Sequence, residues 1–150
     1  MTSLSVLVVS VEARAFALRL DEVSEIMRPL SVAPMPGAPP FVRGVAVARG
    51  EPRPVVDLAM LLGASEPVAP ERFVAVKTGE RQVLLAVETV VGIQRLSAAV
   101  FEDLPPLFRQ AKGHAMEAIA SLDDRLLILL AGGRLVPPEH LAVLTPEESE

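Results

Sequence analysis

The sequence predicts a mainly β protein built from two similar small lobes that share one core. Three observations support this. Apolar residues make up 51% of the 150-residue chain, mostly as Ala, Val and Leu in short runs rich in β-branched side chains. Gly, Pro and Asp pairs cut those runs to strand length. The order of strand, turn and acidic residue in the first half recurs in the second.

Taken in order, Val6–Val11 is an apolar, β-branched strand. Glu12-Ala13-Arg14 is a hairpin turn, and Phe16, Leu18 and Leu20 alternate along a second strand. From Asp21 the period changes. Asp21 is placed to cap a short helix, with Glu22 in its first turn and Val23 and Ile26 sharing a face. Ile26 is expected in the core, and Val23 either in the core or facing a partner. Residues 34–40 hold four prolines, which fix φ and remove amide donors, so they form a rigid loop.

Phe41–Ala48 and Arg53–Leu58 are strands around the turn Arg49-Gly50-Glu51, and Ala59–Leu62 is a helical turn ended by Gly63. Residues 64–70 read as a linker. Phe73–Lys77 and Val83–Val87 form a hairpin about Thr78-Gly79-Glu80. Glu88–Ile93 reads as a helical turn and 97–108 as irregular. Met116–Leu122 and Leu126–Leu130 are strands joined at Asp123-Asp124. Pro138–Leu144 is a terminal helix with Pro at its start, and Thr145–Glu150 an acidic, frayed tail.

Phe16–Arg28 aligns with Val83–Arg95 without gaps at an offset of 67. Asp21 and Glu88, Val23 and Val90, Ile26 and Ile93, and Arg28 and Arg95 fall in register. Val45–Val56 matches Ile119–Leu130 at an offset of 74. These are two copies of one unit of about five short strands and a helical turn, too small to bury a good core alone. The expected boundaries are residues 14–66 and 71–130, with 1–13 and 131–150 completing the fold.

Composition narrows the functions. A net charge of −5 disfavours nucleic-acid backbones, and 3% aromatic residues leave little to stack on bases. No Cys is present, so disulfides, thiolate metal sites and thiol nucleophiles are out. No apolar run approaches the roughly 20 residues of a membrane span, and the start lacks a basic leader, which points to the cytoplasm. There is no phosphate-cradling loop, nucleophile elbow or His–carboxylate cluster. His114 and His140 stand alone, which makes metal binding an unfavoured reading. The expectation is a protein with no enzymatic activity and no cofactor.

The stretch Phe41-Val-Arg-Gly-Val-Ala-Val-Ala-Arg-Gly-Glu-Pro-Arg-Pro-Val-Val-Asp-Leu58 resembles the central pattern of the CheW-like coupling proteins. Val23-Ser-Glu-Ile26, the loop 34–40 and Leu122-Asp-Asp-Arg-Leu-Leu-Ile-Leu-Leu130 resemble others of that family, over roughly residues 4–144. The resemblance implies two SH3-like five-stranded β-barrel lobes packed together. It also implies an adaptor between the cytoplasmic tip of a chemoreceptor and the regulatory domain of a CheA-type histidine kinase. Val47 and Ala48 replace the family's usual Asn-Leu, and Ala131 replaces an Asp. These departures favour, as an alternative, a rewired or self-associating scaffold.

The expected partner-binding residues are Val23, Glu25, Gly44 and Arg49. Val23, Glu25 and Ile26 would together offer an apolar strip with one charge to a helical tip, the core being the favoured place for Ile26. Arg49 supplies a fixed guanidinium fork for carbonyls or an acid. Gly44 serves either a partner's close approach or a bulge. Asp57, at a strand end, is expected to cap the next turn. Met27, Met35 and Met60 are expected in the core.

Overall fold

The structure is a computed structural model that describes residues 2–106 and 115–136. The expected C-terminal helix at 138–144, the acidic tail and both histidines lie outside the described residues. The first half contains β1 (Ser3–Val11), β2 (Arg14–Arg19), β3 (Val23–Met27), β4 (Val42–Ala48), β5 (Glu51–Asp57) and the helical turn α1 (Leu58–Leu61). The second half contains β6 (Arg72–Thr78), β7 (Arg81–Val87), β8 (Thr89–Ser97), β9 (Phe101–Asp103), β10 (Met116–Leu122) and β11 (Arg125–Leu130). Short 3-10 turns lie at Leu20–Glu22, Ala98–Val100 and Gly132–Arg134.

The strands form one sheet in the order β8-β1-β2-β11-β10-β9 and another in the order β3-β6-β7-β5-β4. Neither follows the division at 66/71 expected from the sequence. The first hairpin of each half is inserted into the sheet made by the other half. Parallel pairs, β2 with β11 and β5 with β7, knit the exchanged hairpins in. The reason is burial. In β1, β2, β6 and β7 both faces are covered, so Val6–Val9, Ala17-Leu18, Phe73–Val76 and Val83–Val87 are continuously buried. Val6, Val8 and Ala17 join a small cluster with Ala118, Ala120, Leu127 and Leu129. Their neighbours Leu7, Val9, Phe16 and Leu18 face the other way, into a larger cluster with Val55, Val56, Phe73 and Leu85.

The duplication extends to the irregularities. In β3 the pairing slips between Val23 and Glu25, and 67 residues on β8 slips at the matching place, opposite Val8/Val9. In β4 it slips between Val42 and Gly44, and 74 residues on β10 slips between Met116 and Ala118. These bulges correct the two expected helical turns. Val23–Met27 and Thr89–Ser97 are strands. Val23 pairs with Val76 and Ile26 with Val74, so the bulge puts residues three apart on one face, as a helix would. Ile26, expected in the core, is 41% exposed, because β3 is the edge strand; Met35 is exposed as well.

The turns carry the conformations their sequences demand. Arg49 and Gly50 both have positive φ, as do Asp123 and Asp124, which is the two-residue hairpin geometry matched to strand twist. Asp57 does cap α1. One carboxylate oxygen accepts from the Met60 amide at 3.0 Å and the other from the Val68 amide at 2.9 Å. Arg43 braces the same place, 3.4 Å from Asp57 and donating to the Val68 carbonyl at 2.7 Å. Asp57 thus pins the 64–70 segment to the end of β5.

Candidate functional site

β3 and β4 stand at opposite ends of the second sheet's strand order, yet two sets of contacts bring them together. Beyond β3, Ala33 exchanges backbone hydrogen bonds with Val45 of β4, at 2.8 and 2.9 Å. At the tip of the β4–β5 hairpin, Arg49 reaches across to Glu25 on β3. Its Nε donates to Oε1 at 3.1 Å and a terminal nitrogen donates to Oε2 at 2.6 Å. Two of the four sequence-predicted residues therefore form one bidentate ion pair bridging two sheet edges.

The electrostatics follow from that contact. Hydrogen bonding from Arg49 is the main cause holding the Glu25 carboxyl below the ordinary glutamate range, and Glu25 in turn raises the Arg49 guanidinium. The Arg49 side chain is 78% exposed. An exposed pair of this kind adds little stability and leaves a directional fork and a carboxylate at the surface.

Val23 is half-buried and packs against the larger core cluster, so it supports β3 from beneath as well as flanking Glu25. Gly44 has a different place. It is buried at the β4 bulge with φ +141°, and a Cβ there would lie 2.1 Å from the Ala33 carbonyl oxygen. Its job is to let the Ala33–Val45 bridge form.

Three further features shape this edge. Ile26 projects from the same edge strand as Glu25. Val47, two residues before Arg49, is 66% exposed between buried Ala46 and Ala48. Strict alternation in β4 was the signal that could have placed Val47 outward. The Gln82 side chain also donates to the Ser24 hydroxyl at 2.9 Å, tying β7 to β3.

A duplicated two-sheet β protein that presents an ion pair and exposed apolar side chains along bridged sheet edges has a surface suited to a protein-interaction module. The particular family is shown by sequence: the CheW-like domain matches residues 5–139, and the chain belongs to that family. It is 27% identical over 127 residues to the chemotaxis protein CheW of Rhizobium meliloti (strain 1021), covering 83% of this chain and 82% of that one. It is 28% identical over 126 residues to the chemotaxis protein CheW of Thermotoga maritima, with 83% and 82% covered. Its fold matches the crystal structure of the scaffolding protein TtCheW from Thermoanaerobacter tengcongensis at a TM-score of 0.80, with 24% identity and 91% and 94% covered.

Proposed function

We propose that this chain is a non-catalytic chemosensory adaptor in the cytoplasm, coupling a chemoreceptor's cytoplasmic tip to the regulatory domain of a CheA-type histidine kinase. The observation that carries this reading is the Arg49–Glu25 pair bridging β3 and β4, with Ile26 and Val47 exposed on the same strands. A receptor tip with an apolar stripe and a few charges fits such an edge. Each sheet is read as an SH3-like barrel. For the five-stranded second sheet, support comes from the Ala33–Val45 bridge, which returns the chain after one edge strand to the other; the first sheet has six strands where five were expected.

Within this reading Arg49, Glu25 and Val23 form the contact surface, and Gly44 shapes it from inside. The test is binding of the purified chain to its own organism's kinase regulatory domains and receptor tips. Arg49→Ala and Val23→Asp should lose binding to one of them while keeping the circular-dichroism spectrum of the parent. Normal binding by both folded variants would place the partner surface elsewhere; unfolding of either would make that residue structural.

A second reading is a rewired scaffold that associates with itself. The exposed Val47, where the family pattern has Asn, favours it. A concentration-dependent oligomer that Val47→Asn disperses, with no kinase affinity, would select this alternative.

A further inference from the structure

Glu22 ends the 3-10 turn that carries the chain from β2 in one sheet to β3 in the other. Its carboxyl is pressed against Gly132, at the start of the turn that follows β11. A Cβ on Gly132 would lie 2.2 Å from Glu22 Oε1 and 2.7 Å from its carboxyl carbon, so the carboxyl sits directly on the glycine and a larger residue there would make the Glu22 side chain shift. Oε1 is buried and makes no hydrogen bond of its own, and although the Gly132 amide beside the carboxyl favours its charged form, burial outweighs it.

The duplication shows why a carboxylate at this spot matters. In the first half Asp57 ends β5 and satisfies two amides. Its counterpart 74 residues on is Ala131, which carries no acid. Glu22 brings a carboxyl from the first half to that same strand end, without the two amide bonds that Asp57 enjoys.

A buried carboxylate oxygen without a donor is costly when charged and far less so when protonated. Burial is the largest influence and raises the Glu22 carboxyl above the ordinary glutamate range. Arg19 opposes the rise, Asp21 adds to it, the Gly132 amide opposes it and Glu117 adds to it. Arg134 acts on the neighbouring Glu117. β1 and β6 also pack on this turn. β1 has no charged residue, and β6 has only Arg72 and Lys77, both exposed near its ends.

We propose that Glu22 is a proton-operated joint between the two sheets, seated on Gly132 as the neutral acid and loosened when it ionises. β3 begins at the next residue and carries Val23 and Glu25, so the joint also sets the partner edge; that last step rests on the function proposed above.

The test is a carbon-13 carboxyl titration of the full chain by NMR. Glu22 should titrate above the other glutamates, and the Gly132 amide should shift with the same midpoint. An ordinary or lower midpoint, or a silent Gly132, overturns the proposal. Glu22→Gln supplies a second readout. A carboxyl whose folded value is raised contributes stability that is complete below its unfolded value and lost as pH rises through the folded one. The parent's urea midpoint should therefore fall relative to Glu22→Gln across that window; parallel profiles overturn the joint. Neither readout needs a partner, so a failed binding assay would bear on the proposed function and leave the joint standing.

Discussion

Replacing Gly44 by alanine would drive a methyl group into the backbone where the two edges of the second sheet meet. The Cβ would lie 2.1 Å from the Ala33 oxygen, 2.7 Å from the Ala33 carbonyl carbon and 2.9 Å from a Val32 methyl. Two of these three contacts are backbone, so no side-chain rotation relieves them. The residue must also hold φ at +141°, where an L side chain is strained. That strain costs about 1–3 kcal/mol. Pushing Ala33 away breaks its two hydrogen bonds with Val45, each worth about 1 kcal/mol net. The expected loss is about 3–5 kcal/mol, a large part of the roughly 5–15 kcal/mol that holds a small domain together. With a urea slope of about 1–3 kcal/mol per molar, the unfolding midpoint should drop by more than about 1 M. Equilibrium unfolding followed by circular dichroism measures this. A loss below about 1 kcal/mol would show that the bridge relaxes freely, and Gly44 would return to the list of partner contacts.

Thr78 is 1% exposed and its hydroxyl has no partner, while Val11 fills the matching position 67 residues earlier. Thr78→Val keeps the shape and removes the orphaned group, so it should stabilise the fold by about 1 kcal/mol in urea unfolding; destabilisation would reveal an unrecognised acceptor. Arg19 donates to Glu117 through both terminal nitrogens, and that hydrogen bonding is the main cause depressing the Glu117 carboxyl. Its contribution is present above the unfolded value and lost as pH falls through the folded one, the opposite sign to Glu22. In the Glu22→Gln background, Arg19→Met should cost under about 1 kcal/mol at neutral pH, since both partners are part-exposed, and should flatten the acid-side decline; an unchanged decline would assign it to other carboxylates.

Much of this architecture is local and therefore written in the chain. Arg49-Gly50 and Asp123-Asp124 mark hairpins because few residue pairs suit two successive positive φ angles. Asp57 before Leu58 marks a cap because a short carboxylate reaches the amide three residues on. Arg49 and Glu25 were legible as residues, through their motifs, though not as a pair.

The strands β3 and β8 look like helical turns in sequence because each carries a bulge. One extra residue converts a spacing of two into three and imitates a helix. Single-residue pattern reading has no means to separate the two, since the distinction lies in the partner strand.

What the sequence determined by itself is the set of hairpins, their turns and their duplication, all fixed by interactions within a few residues. Only the tertiary structure decided which hairpin enters which sheet. Equivalent hairpins from two copies of one unit have the same local pattern, so exchanging them changes nothing a short window can see. The exchange is settled by burial of both faces of β1, β2, β6 and β7 at once, and that burial exists only when the two halves are folded through each other.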